Sequence, residues 1–162
     1  VLAGGKVVRS FPDLASFAAY LARLPVAIQA AETAGLTAAA LVIEKEAKAE
    51  IGHYQGEAGP LAAWAELADT TKADRRSKGF PENNPLLRSG ELLHSIGHSV
   101  DGHHAVVGST SDIAVYQEFG TPHAAHPIPQ RSFLGGAAFR KGKDAADAAG
   151  KAVAHSVAGL RP

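Results

Sequence analysis

Leu36, Ala40, Ile43, Ala47 and Ile51 recur every three or four residues, and no other pattern in the chain restricts its fold as much. That spacing lays all of them along one stripe of a helix. The predicted helix runs from about Val26 to Ile51 and ends at Gly52, which is free to adopt a left-handed cap. Glu44 and Lys48 lie one turn apart on its exposed side and can pair. A stripe made largely of alanine buries little area per residue, so this helix must lie close against another element. A shorter helix is predicted ahead of it. Ser10 is placed to cap it by accepting from the Asp13 amide, and Pro12 suits the first turn. Leu14, Phe17, Ala18, Leu21 and Leu24 then follow at helical spacing. Pro25 interrupts or ends this helix, and Gly35 weakens the middle of the longer one and allows a bend.

Beyond Gly52 the pattern changes. His53 to Pro60 contains Gly56, Gly59 and Pro60 and reads as a loop. Trp64 and Leu67 follow, with Trp64, the sole tryptophan, as a core anchor. A short helix is predicted from Thr71, with Asp74 at capping spacing, and Gly79 and Pro81 stop it. Asn83, Asn84 and Pro85 are turn residues. Asp101-Gly102 is a strong hairpin signal inside Ser95 to Ser109. Folding about it puts Ile96, His98 and Val100 on one face with His103, Ala105 and Val107, and that mostly apolar face should pack on a helix. Two strands alone are marginal, so at least one more strand is expected. Ser111 to Phe119 reads as a short helix closed by Gly120, and Thr121 to Gln130 as a long loop. Phe133 to Leu160 is helical, but Gly135, Gly136, Gly142 and Gly150 weaken it, so it must dock. The fold class is α+β: a small, mostly antiparallel sheet packed on a long helix, with N-terminal and C-terminal helical additions. One domain covers 1–162, with a helical arm and long helix over 10–51, a loop, hairpin and motif region over 52–134, and a C-terminal helix over 135–162.

The balance of charges excludes some functions. Lys plus Arg is 16 and Asp plus Glu is 16, and a chain of zero net charge is a poor non-specific binder of nucleic acid. Without cysteine there is no disulfide, thiolate zinc site or cysteine nucleophile. No unbroken apolar run approaches the ~20 residues that span a bilayer, and Val1 to Arg9 lack the order of a signal peptide. The chain therefore reads as a soluble protein made in a cytoplasm. Among the eight histidines, His94 and His98 are four apart and His123 and His126 three apart, which raises a metal-dependent hydrolase as an alternative. No His-Glu-x-x-His motif supports it, and loop or surface histidines, with His98 at a core edge, are the simpler reading. Ser95, His104 and Asp112 make a catalytic triad only on paper, because no nucleophile elbow is present. Lys72, Arg75, Arg76, Lys78 and Arg88 form a basic cluster that reads as a solvated helix face before it reads as a DNA patch.

A further order of short motifs runs from Trp64 to Leu134. Leu86-Leu87-Arg88-Ser89-Gly90-Glu91-Leu92 leads to Ser95-Ile96. After the hairpin come Val107-Gly108-Ser109, then Ala114-Val115-Tyr116-Gln117-Glu118-Phe119-Gly120-Thr121, then Ile128-Pro129-Gln130-Arg131-Ser132-Phe133-Leu134. This order resembles the phage tail-completion and neck family, and is similar to the virion-morphogenesis proteins of Mu-like phages and to gene-transfer-agent neck proteins. Ser89 stands where that family often has Thr, and Ser132 where it usually has Pro, which leaves the Arg131 turn less rigid. The resemblance implies a structural virion protein, not an enzyme, at the head–tail junction, assembled in the host cytoplasm. It implies a homo-oligomeric ring, usually taken to be a hexamer, that completes or terminates the tail tube. The ring's partners would be the tail tube protein and a head-completion or stopper protein, with genomic DNA passing through the channel without sequence-specific binding. No cofactor, metal or membrane is implied. A head-side adaptor or DNA-packaging accessory that uses Arg75 and Arg76 is the neighbouring alternative.

The motif residues then take structural roles. Ser89 and Gly90 open a helical turn, with Glu91 at its positive end, leading through Leu92 to Ser95 and Ile96. Gly108 allows close backbone approach beside the hairpin. Tyr116 and Phe119 both face the core, Glu118 points to solvent or a neighbour, and Gly120 ends the helix before Thr121. Arg131 pairs with Glu118 across the loop or a subunit boundary, and Phe133 and Leu134 plug into the core.

Overall fold

The structure, a computed structural model, describes residues 10–159; the reading of Val1 to Arg9 and the placement of Leu160 fall outside them. The protein is α+β. Its elements in order are α1 (Leu14–Glu50), α2 (Asp69–Ser77), α3 (Glu91–Ser95), β1 (Ile96–Asp101), β2 (His104–Ser109), α4 (Ile113–Phe119) and α5 (Leu134–Ala158).

The two helices predicted around Pro25 are one helix of 37 residues, about 55 Å long. Pro25 removes one backbone hydrogen bond and crowds the preceding turn, but the flanking alanines have the highest helix propensity and carry the helix through. The cap is Asp13, not Ser10: Asp13 Oδ1 accepts from the Ser16 amide at 2.7 Å, and the Ser16 hydroxyl faces the Asp13 amide at 3.4 Å. Phe11 folds back onto Phe17 and Tyr20, with ring centroids 5.2 Å away in each case.

Gly35 does not bend α1. It lets α5 come close, since a Cβ there would lie 2.8 Å from Val153 Cγ2. Ala31, Gly35, Ala40 and Ala47 are the buried small residues of α1, and α5 packs along the helix. The alanine stripe thus finds the close neighbour that it requires.

β1 and β2 pair antiparallel, with His98 opposite Val107 and Asp101 opposite His104. The turn residues are therefore Gly102 and His103, one position later than expected. Gly102, at φ 53°, takes the first central position, where a tight hairpin turn favours glycine. His103 leaves the apolar face as a result, and its Nδ1 lies 2.6 Å from Glu32 Oε1 on α1. No third strand joins the hairpin among the described residues. The expected extra strand is replaced by α1, which packs against both strands and covers their apolar face.

α2 starts at Asp69 without a side-chain cap, so Thr71 lies inside it and not at its head. The core lies where the C-terminal half of α1 meets α3, β1, α4 and the first turn of α5. It is built from Ala47, Ile51, Trp64, Leu92, Ile96, Ala114, Phe133 and Ala137.

Candidate functional site

The motif residues converge on the junction of α4 and α5. α5 begins at Leu134 with no cap from the side chain of Phe133, so its first amides need an outside acceptor. Glu118 supplies it. Its Oε2 accepts from the Phe133 and Leu134 amides at 2.9 and 3.0 Å. Its Oε1 accepts from the Gly135 amide at 2.8 Å and from the Ser132 hydroxyl at 2.5 Å. A carboxylate at a helix N-terminus also opposes the helix dipole favourably. Gly135 makes room for it, because a Cβ there would lie 3.0 Å from Glu118 Oε1 and 2.6 Å from the Ser132 hydroxyl. Ser132, which departs from the resembled pattern, is thus a member of the clasp.

This arrangement overturns three expectations. Glu118 turns inward to α5 and not to solvent. Arg131 does not pair with it; its Nη2 donates to the Ala65 and Glu66 carbonyls at 2.8 and 3.2 Å, and its amide to the Gln117 carbonyl at 2.7 Å. Tyr116 and Phe119 do not face the core; they are 52% and 70% exposed. Each residue of a helix is rotated about 100° from the last, so once Ala114 and Glu118 face inward, Tyr116 and Phe119 face out. Ile113 and Val115 are exposed beside them, and Phe139 of α5 is also exposed, its ring lying over Gly59. The first half of α1 carries a second apolar surface, with Leu14, Leu21 and Ile28 exposed along one side of the helix.

The remaining motif residues are structural. Trp64, Leu92, Ile96 and Phe133 are in the core, and Leu134 packs against it. Gly90, at φ 87°, precedes α3, and the Ser89 hydroxyl faces the Glu91 amide at 3.4 Å. Ser95 donates to the Leu92 carbonyl and shares a hydrogen bond with Ser109, each at 2.7 Å. Thr121 closes the following loop: its amide donates to the Ile128 carbonyl and its hydroxyl accepts from the Ile128 amide. Gly120 is required there, since a Cβ would lie 2.9 Å from both Gln130 N and Ile128 O. Gly108 is not a close-approach site, because nothing lies within 4 Å of where its Cβ would be.

Sequence reasoning missed Glu50. It is buried near the end of α1 and paired with Arg140 of α5, which also donates to the Gly56 carbonyl at 2.9 Å. Burial pushes its carboxyl up to about 7 against the opposing pull of Arg140, and the Glu46 and Glu118 charges act in the same direction as burial. Its Oε2 has no hydrogen-bond partner. A Cβ at Gly136 would lie 3.2 Å from that oxygen, so the adjacent glycines at 135 and 136 make room for two carboxylates. The Gly-Gly pair was the available signal.

The alternative sites do not assemble. No group of three or more metal-ligating side chains comes together among the described residues. His98 bonds Glu44, which also pairs with Lys48 at 2.5 Å, while His123 and His126 lie exposed in the loop. Ser95 sits at the base of the hairpin and His104 beside its tip, so the paper triad is spread along the ribbon. In the basic cluster, Lys72, Arg76, Lys78 and Arg88 pair with Glu66, Glu82 and Asp74. Arg75 is buried, so the cluster is not uniformly a solvated face. α1 also contains an 18-residue stretch of mean hydropathy 1.6, long and apolar enough to cross a membrane by length and composition. Gln29 and Glu32 break its apolar run, which is why the sequence pattern did not show it. No protein-family model, curated protein or solved structure matches this chain.

Proposed function

We propose that this chain is a structural subunit of a phage head–tail junction. It assembles as a homo-oligomeric ring, a hexamer by the resemblance, that completes the tail tube and joins it to a head-completion protein. The observation that carries the reading is the pair of separate exposed apolar surfaces. One is on α4 and α5 around Tyr116, Phe119 and Phe139, and the other is on the arm around Leu14, Leu21 and Ile28. Ile28 is about 28 Å along the helix from Ala47, where α4 packs. Two distinct patches on one subunit suit a head-to-tail contact that closes into a ring, and patches of this kind mark interaction surfaces. The motif residues support the same reading, since Glu118, Ser132 and Gly135 form a clasp that fixes the junction of α4 and α5. The zero net charge suits a lumen through which DNA slides without being held.

Electron microscopy of particles made after disruption of the gene tests this. DNA-filled heads beside unattached tails are the expected outcome; normally joined virions would overturn it. A second reading has one observation behind it, the apolar stretch of α1, and places that stretch in a bilayer. Flotation with phosphatidylcholine–phosphatidylglycerol vesicles tests it, and protein that stays at the bottom of the gradient excludes it.

A further inference from the structure

Two arginines in this protein are buried without a carboxylate partner. Arg75 is 8% exposed and Arg131 5%, and no ion pair among the described residues reaches either. Backbone carbonyls take up one side of each. Arg75 Nη1 donates to Asn84, Leu87 and Pro81 carbonyls at 2.6, 3.1 and 3.4 Å. Arg131 donates from Nε and Nη2 to the carbonyls of Ala65 and Glu66. Carbonyl dipoles solvate a guanidinium but leave its charge unbalanced, and a buried unbalanced charge is costly.

Both arginines line one cleft of about 770 Å³, and Arg88 is the third cation on its wall. Arg88 lies 4.8 Å from the Phe80 ring centre and 3.5 Å from Asp74. Burial lowers the proton affinity of Arg75 and Arg131, and the neighbouring Arg88 and Arg75 charges respectively lower it further. The cleft wall thus carries three guanidinium groups against the two carboxyl groups of Glu66 and Glu91. Leu86 lines it too, at φ 62°. Arg75 grips the carbonyls on either side of Leu86 and holds it in that conformation, which a leucine seldom adopts.

The rest of the lining selects among anions. Glu66 and Glu91 are on the wall, and Leu92, Ile113 and Ile128 are apolar. A nucleic-acid backbone brings a row of phosphates and needs a continuous basic track, which two carboxylates interrupt. A single carboxylate on an apolar peptide needs no such track, and guanidinium groups match carboxylate geometry closely.

We infer that this cleft binds a protein partner through one Asp or Glu side chain flanked by apolar residues, with Arg75, Arg88 and Arg131 taking the charge and Phe80, Leu86 and Ile128 the flanks. The inference is independent of the ring reading, because any partner of that chemistry satisfies it. The test is an NMR titration of the isotopically labelled chain with acetyl-Leu-Glu-Leu-amide and, separately, acetyl-Leu-Gln-Leu-amide. The Glu peptide is expected to give saturable shifts at the Arg75 and Arg131 side-chain signals and the Ile128 amide. The Gln peptide should bind about tenfold or more weakly, the loss that removing a charged hydrogen-bond partner brings. Arg88→Gln, a change at an exposed side chain, should weaken the Glu peptide about tenfold with the amide spectrum otherwise kept. Arg76→Gln, outside the cleft, should leave binding unchanged. Equal response to the two peptides, or no saturable shift at millimolar peptide, overturns the proposal. So does displacement of the Glu peptide by inorganic phosphate or a short DNA duplex at lower concentration.

Discussion

At the residue scale, two carboxyl groups beside α5 are accommodated differently. Glu118 accepts from three backbone amides and a hydroxyl. Glu118→Ala strips the first turn of α5 of its acceptors and should lower stability by about 2–4 kcal/mol. Glu118→Gln, which keeps one carbonyl acceptor, should lose less, and urea unfolding midpoints of the three chains give the order. Glu50 keeps one oxygen without a hydrogen-bond partner, and burial raises its carboxyl from 4.5 to about 7. The folded chain holds this proton more tightly than the unfolded chain does. Its contribution to stability is therefore complete below about pH 4.5 and is lost as the pH rises through about 7, a change on the order of 3 kcal/mol. Thermal unfolding across that window should show the decline, and Glu50→Gln should flatten it. A profile for Glu50→Gln as steep as that of the parent chain would place the titration elsewhere.

At the scale of elements, Gly120 ends α4 at φ 71° and ψ 178°, a region closed to other residues, with two backbone atoms where a Cβ would go. Gly120→Ala should lower stability by about 2 kcal/mol or more, measured against Gly108→Ala, whose site is open. Hydrogen exchange gives a second check at this scale. Pro25→Ala restores a bond to the Leu21 carbonyl and should slow amide exchange over the arm, with little change near Ala47. Much of this level was legible in the sequence. The stripe from Leu36 to Ile51, the hairpin around Gly102 and the stop at Gly120 depend on neighbours in the chain, and the pattern shows them. The facing of α4 was not legible. It is fixed by a carboxylate reaching amides 15 to 17 residues ahead, so Tyr116 and Phe119, sound core residues by spacing, end up outside. No third strand is needed among the described residues, since packing on helix α1 stabilises the hairpin as a further strand would have done. Glu50 was hidden because its burial depends on a pairing with Arg140, 90 positions away.

At the scale of the molecule, the large side chains in water outnumber those in the core on α4 and the arm, and the isolated chain should not stay monomeric. Sedimentation should show a mass that rises with concentration. Phe119→Ser and Ile28→Ser should weaken assembly while leaving the unfolding midpoint nearly unchanged, because both residues are already exposed in the single chain. A midpoint that drops as far as the mass would mean that these residues stabilise the subunit itself. The Glu118 clasp and the Thr121–Ile128 closure have one more consequence, for how such a chain can change over generations. The closure pins both ends of the span between Pro122 and Pro127, the clasp fixes the chain beyond it, and the exposed side chains of residues 123–126 support little of the fold. Doubling such a span adds only about 0.6 kcal/mol of closure entropy. That segment can lengthen, shorten or change its chemistry to match a new partner while the subunit that carries it stays the same.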